Sequence, residues 1–240
     1  MLELRNICYE VGDDSESKEI LKNINLTIDE HFVAITGPNG GGKSTLAKMI
    51  AGIIKPTSGQ IVLDGEDITE LNITERAKKG ISFAFQQPVH FKGLTVKDLV
   101  SIAAGKTMSV TEICNILSEV GLCAREYIDR EINSSLSGGE LKRIEIAMLL
   151  ARGTKLSIFD EPEAGIDLWS FNSLIRVFEK MRDEINGTIL IISHQERILE
   201  IAEKIVVIAN GEIEKIGNKE EILPALLYTT SSCQSLTDKQ

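Results

Sequence analysis

The octapeptide GPNGGGKS, Gly37 to Ser44, stands between the apolar run FVAIT (32–36) and the stretch KSTLAKMIAG. A short, continuous apolar run predicts a strand buried on both faces, and the stretch after the loop predicts a helix. The spacing G-x-x-x-x-G-K-[ST] in that context describes a phosphate cradle. Glycines let backbone N–H groups turn inward around phosphate oxygens, and the helix N-terminus adds its dipole. On this reading Gly37, Pro38, Asn39, Gly40, Gly41 and Gly42 form the cradle. Lys43 reaches the β and γ phosphates as a point charge, and Ser44 offers its hydroxyl to Mg²⁺. The alternative is a glycine-rich turn that merely caps a helix; the strand before it and the helix after it favour the nucleotide.

A second stretch, FDEPEAGIDLWSF (159–171), packs the carboxylates Asp160, Glu161, Glu163 and Asp167 behind the apolar run LSI. A phosphate loop needs a carboxylate at the end of a neighbouring strand to hold Mg²⁺, usually through water, and Asp160 fits that place. Glu161, one residue on, is positioned to polarise an attacking water. Glu163 reads as a solvated loop charge.

The rest of the chain supplies a scaffold for these two stretches. Residues 2–9 and 20–28 alternate like strands across an acidic turn, and GQIVLDG (59–65) reads as another strand. From about Thr95 to Arg152 the pattern is helical. Within it Val110, Ile113, Ile116, Leu117 and Val120 share one predicted face, and Gly121 stops the helix. The apolar runs LSIF, TILIIS and KIVVIAN then return to strands. Strands alternating with helices predict an α/β fold with a mostly parallel core sheet. The expected organisation is a single domain over 1–240. Residues 1–94 and 153–222 form the nucleotide-binding core with an antiparallel β part, 95–152 form an inserted helical subdomain, and 223–240 form a loosely ordered tail.

With 240 residues and a net charge of −10, the chain offers no broad basic surface, which argues against a nucleic-acid partner. It shows no long apolar run and no signal-peptide pattern, so a cytoplasmic protein without direct membrane insertion is expected. Cys8, Cys114, Cys123 and Cys233 lack zinc-like spacing and read as free thiols.

LSGGELKRIEIAMLLAR (136–152) contains a capping box, Ser137 with Glu140, which explains a helix start but not two successive glycines. At this point the chain resembles the ATP-binding cassette (ABC) ATPases. The resemblance runs from about residue 2 to 217 and rests on GPNGGGKST, Gln86 in FAFQQP, LSGGE, IFDEP, AGID and His194 in IISHQ, in that order. It implies ATP with Mg²⁺, and two copies paired head to tail in an ATP-dependent homodimer. It further implies that Lys43, Ser44 and Thr45 bind the nucleotide in one copy, and that Ser137, Gly138 and Gly139 meet its γ-phosphate from the other. Gln86 would touch Mg²⁺ or water and sense the partner, and His194 would contact the γ-phosphate. The family's adenine-stacking aromatic falls at Val11, a departure; Tyr9, two residues earlier, is the candidate substitute.

The segments LSGGELKRIEIAMLL, DEPEAGIDLWSF, NITERAKKGISFAFQQP and SHQERIL resemble the SufC branch, the soluble ATPases of iron–sulfur cluster assembly. That likeness implies a SufB- or SufD-type scaffold as partner, docked on the segment QPVHFKGL, where Val89, Phe91 and Leu94 are apolar. The alternative is the ATP-binding subunit of an ABC membrane transporter. A DNA-gripping ATPase would carry long coiled coils here, and no sustained heptads are present.

Overall fold

The computed structural model describes residues 1–13, 16–87, 91–133, 135–184 and 187–234. It divides into two compact units, Met1–Leu71 with Ile192–Gln240, and Asn72–Ile191.

The first unit opens with β1 (Leu2–Asp13) and β2 (Glu16–Ile28), an antiparallel pair. Leu4, Ile7, Leu21, Ile24, Leu26 and Ile28 are buried, and bulges between Leu4 and Ile7 and between Leu21 and Ile24, with Asn6 and Asn23 left-handed, keep residues three apart on the inward face. β3 (Phe32–Thr36) follows, buried at every residue, and leads through the glycine loop into α1 (Lys43–Ile50). β4 (Ser58–Leu63) and β5 (Glu66–Asp67) complete an antiparallel sheet in the order β2-β1-β4-β5. Both strands of the first hairpin run further than their apolar alternation predicts. Val11 pairs with Lys18 and Gly12 with Ser17, so ladder hydrogen bonds extend the hairpin where no side chains need burying.

The second unit contains α2 (Ile73–Lys78), β6 (Ile81–Ala84), α3 (Val96–Ala104), α4 (Val110–Glu119), α5 (Ala124–Tyr127) and α6 (Gly138–Arg152). It ends with β7 (Leu156–Asp160), α7 (Leu168–Glu184) and β8 (Thr188–Ile192). β6 and β7 pair in parallel, Ile81 with Leu156 through Ala84 with Phe159. Reciprocal capping boxes start α2 (Asn72, Glu75), α3 (Thr95, Asp98), α4 (Ser109, Glu112) and α6 (Ser137, Glu140). Each satisfies backbone donors that a helix start leaves open. On α4 the buried face is Ile113, Leu117 and Val120, whereas Val110 is exposed because it occupies the first helical position, right after the Ser109 cap.

The chain returns to the first unit through α8 (Glu196–Ile201), β9 (Lys204–Ala209), β10 (Glu212–Asn218) and α9 (Lys219–Gln234). β9 pairs in parallel with β3 and antiparallel with β10. The fold is thus α/β, with an antiparallel N-terminal sheet and mixed sheet containing parallel strands. Where the sequence suggests a loose tail from 223, the backbone is helical to Gln234, Pro224 included. Ile222 in its first turn is buried, which anchors the start of a helix that polar composition alone would not predict. No helix among the described residues is long and apolar enough to cross a membrane.

The second unit's core turns on Phe159 of β7 and Phe178 of α7, whose rings meet edge to face with centroids 5.0 Å apart. Phe178 is fully buried, so Phe178→Ala should cost about 3–5 kcal/mol. Urea titration followed by circular dichroism measures this directly.

Candidate functional site

β3 delivers the chain straight into the glycine loop. Gly37, at φ 128°, leaves room for no side chain: a Cβ there would stand 2.1 Å from the Ile208 carbonyl oxygen of β9. The loop tip, Pro38, Asn39 and Gly40, is exposed, while Gly41, Gly42 and Lys43 are buried and Ser44 and Thr45 half-buried. Gly42 precedes α1 at φ 103° with no side-chain cap on the helix start. Lys43, 5% exposed, curls back over the loop, and its ammonium donates to the carbonyls of Gly37 at 2.8 Å and Pro38 at 2.9 Å. A buried cation is thus held inside a turn of backbone whose helix start faces the same loop, an arrangement suited to phosphate.

His194 lies in the same unit and is exposed. The amide of its neighbour Ser193 donates to the Ile35 carbonyl at 3.1 Å, which seats this segment beside the strand feeding the loop. Val11 is 51% exposed near the end of β1. Tyr9 pairs with Leu21, the side chain that abuts Gly42. A register shift between Tyr9 and Glu10 breaks the simple alternation that would put Tyr9 and Val11 on one face.

In the second unit, β7 ends at Asp160, 5% exposed, and Glu161 follows at φ 46°, a left-handed conformation rare for a side-chain-bearing residue. The structure joins Glu161 to Gln86, whose Nε2 donates to Glu161 Oε2 at 2.7 Å. Glu163 is not the solvated charge expected: it is half-buried, with Oε2 closed off from solvent. The fourth acid, Asp167, caps α7. Its carboxylate accepts from the amides of Trp169 and Ser170, both at 3.0 Å, and from the Ser170 hydroxyl at 2.7 Å. The Ser170 bonds, above all, hold its pKa below the usual carboxylate value.

Ser137 caps α6 as expected, its hydroxyl accepting from the Glu140 amide at 3.3 Å. The two glycines after it have a reason within the same chain. A Cβ on Gly139 would lie 2.5 Å from Ser170 Cβ, and one on Gly138 would lie 3.1 Å from the Gly165 carbonyl oxygen. The AGID turn and the start of α7 therefore press directly on the start of α6. Of the segment QPVHFKGL, residues 88–90, Val89 among them, lie outside the described residues; Phe91 and Leu94 are half-buried. The sequence reading missed Lys142 and Glu145 of α6, an i, i+3 pair that interrupts the helix's buried face. Burial raises the Glu145 pKa, against the opposing pull of Lys142 and of a hydrogen bond from the Phe85 amide.

Among the described residues no group of three or more His, Cys, Asp or Glu is arranged to hold a metal ion. Of the residues expected to hold Mg²⁺, Ser44 lies in the first unit and Asp160 in the second, and each offers the hard oxygen that this ion takes alongside water and substrate phosphates.

A family described as ABC transporter matches residues 21–164. An uncharacterized ABC transporter ATP-binding protein of Methanocaldococcus jannaschii is 41% identical over 215 residues, covering 86% of each chain. The sulfate/thiosulfate import ATP-binding protein CysA of Synechocystis is 35% identical over 228 residues, 91% of this chain and 61% of that longer protein. Among solved structures, a dimeric ATP-binding cassette in a post-hydrolysis state, bound to ADP and Pi, superposes with a TM-score of 0.80 at 28% identity, covering 91% of this chain and 99% of that one. The chain belongs to the ABC transporter family, and as an ABC ATPase it uses ATP with Mg²⁺.

The glycine loop separates two effects. Gly37→Ala adds a collision with β9 to an unfavourable φ, whereas a Cβ on Gly40 meets nothing within 4 Å. Strain at one such residue costs about 1–3 kcal/mol. Gly37→Ala should therefore weaken nucleotide binding at least about tenfold more than Gly40→Ala, since it adds the collision to that strain. Titration with a fluorescent ATP analogue checks this.

Proposed function

We propose that the chain is the ATP-hydrolysing subunit of an ABC transporter, working at the cytoplasmic side as two copies that close on ATP. The observation that carries the chemistry is the buried Lys43 held within the Gly37–Gly42 loop. The transporter assignment draws its support from the relatives' names. The SufC-like segments point instead to a SufB- or SufD-type scaffold, but neither named relative is described as an iron–sulfur assembly protein. The transporter reading, the alternative on the sequence, takes precedence.

In this reading residues 1–94 and 153–222 bind the nucleotide, and 95–152 carry the helix that reaches the partner copy. Backbone amides of Gly37–Gly42 and the start of α1 cradle the β and γ phosphates. Lys43 exchanges its carbonyl partners for phosphate oxygens. Ser44, Asp160 and Gln86 would hold Mg²⁺, which would neutralise charge on the transferring phosphoryl group. Glu161 orients and polarises the attacking water, released for that task from the amide of Gln86. His194 contacts the γ-phosphate from beside β3. Ser137, Gly138 and Gly139 meet it from the second copy. Thr45 follows Ser44 at the phosphate, and the base lies over Val11 or Tyr9. Phe91 and Leu94 belong to the surface that grips the transport partner.

Glu161→Gln should bind ATP normally, turn over at least about a hundredfold more slowly, and accumulate as an ATP-bound dimer. Lys43→Ala should lose ATP binding and remain monomeric with ATP. Equilibrium binding, phosphate release and light scattering on both variants test the assignment; wild-type turnover in Glu161→Gln overturns it.

Affinity capture of the Glu161→Gln protein with ATP from solubilised native membranes and from the soluble lysate tests the partner. A multi-span membrane protein is the expected result. Recovery of a soluble β-helical scaffold instead reinstates the iron–sulfur assembly reading.

A further inference from the structure

Helix α6 places a charged pair, Lys142 buried and Glu145 half-buried, where an apolar face would serve packing. Lys142 is 2% exposed, and its ammonium lies 3.0 Å from the Glu145 carboxylate, one turn along. The same ammonium donates to the Phe85 carbonyl, and the Glu145 carboxylate accepts from the Phe85 amide. Two side chains of α6 thus grip both backbone polar groups of one residue just beyond the end of β6. The next residue is Gln86, whose amide engages Glu161 at 2.7 Å.

A buried ion pair is a poor device for stability alone, because desolvation offsets most of the attraction and apolar residues of similar volume do as well. What an apolar pair cannot do is hold the Phe85 peptide at a fixed height on α6. Lys142 sits one turn from the start of that helix, where Gly138 and Gly139 lie. The clasp therefore ties the position of Phe85, and of Gln86 beside it, to that of α6.

We propose that Lys142 and Glu145 are positioning residues for ATP turnover: their clasp on Phe85 sets Gln86 against Glu161 and ties that pair to the movement of α6. The proposal rests on the roles given above to Gln86 and Glu161. It assigns to this chain a mechanical link between the helix offered to the second copy and the group that activates water.

The test is a mutant cycle. Lys142→Met combined with Glu145→Leu removes the clasp without stranding a buried charge. This paired variant should keep its thermal midpoint near wild type and its KM for ATP within about twofold, while kcat falls about tenfold or more from misplacement alone. Gln86→Ala should also slow kcat. Adding Gln86→Ala to the paired variant should cost no further rate, because both changes act through one group. Lys142→Arg, which can still grip the carbonyl, should recover kcat to within about threefold of wild type.

Losses that multiply in the combined protein overturn the clasp, as does a paired variant that loses stability but keeps its kcat. If the paired variant does not fold, Glu145→Gln, which keeps the shape and weakens the grip, is read in the same cycle by the same criteria. A Gln86→Ala protein with wild-type turnover overturns the role of Gln86 itself, and the clasp with it. Slowing in Gln86→Ala without slowing in the paired variant overturns the clasp alone.

Discussion

The close approach of the Gly37 backbone to the Ile208 carbonyl is the contact on which the shape of the glycine loop, the proposed phosphate cradle, depends. β3 and β9 run parallel and in register from Val33 with Lys204 to Thr36 with Val207. That pairing delivers the chain to a point where only a residue without a side chain can continue. The loop that follows turns back on itself, and Lys43 fills its centre. The Lys43 ammonium donates to the Gly37 and Pro38 carbonyls, which ties the two ends of the turn together. The buried strand, the tight turn and the helix start are one mechanical object.

The second unit is organised around α6. Its start is pinned by Ser137 and Glu140, and its glycines admit the turn that follows β7 and the first residues of α7. One turn along, Lys142 and Glu145 reach the Phe85 backbone. The acidic stretch therefore divides its labour. Asp160 closes a buried strand, Glu161 faces Gln86 in a strained conformation, and Asp167 caps α7. Left-handed backbone at a side-chain-bearing residue persists only where its surroundings hold it.

Several of these features are legible in the residues alone. The buried strand at 32–36, the loop after it and the helix from Lys43 follow from an apolar run, glycine spacing and Lys-Ser at fixed offsets. The Ser137–Glu140 box follows from its i, i+3 spacing. The strand ending at Asp160 follows from LSIF. Local pattern fails in other places, each for a stated reason. Val110 has the right period for the α4 core yet is exposed, because a first helical residue lies beyond the packed turns. The first hairpin outruns its alternation because ladder hydrogen bonds do not require apolar side chains. The tail turns helical through Pro224 because Ile222 has a place to bury.

The sequence by itself determined the strand–glycine loop–helix unit at 32–50, the α/β class and the family, because these depend on residue types at short, fixed spacings. Only the tertiary structure decided that Gly139 makes room for Ser170, that Gln86 meets Glu161 across 75 positions of chain, and that Lys142 and Glu145 hold Phe85. Those contacts join residues far apart along the chain, and nothing in local propensity encodes which distant peptide a buried charge will find. Packing decides it, by closing every other route through which that charge could be satisfied.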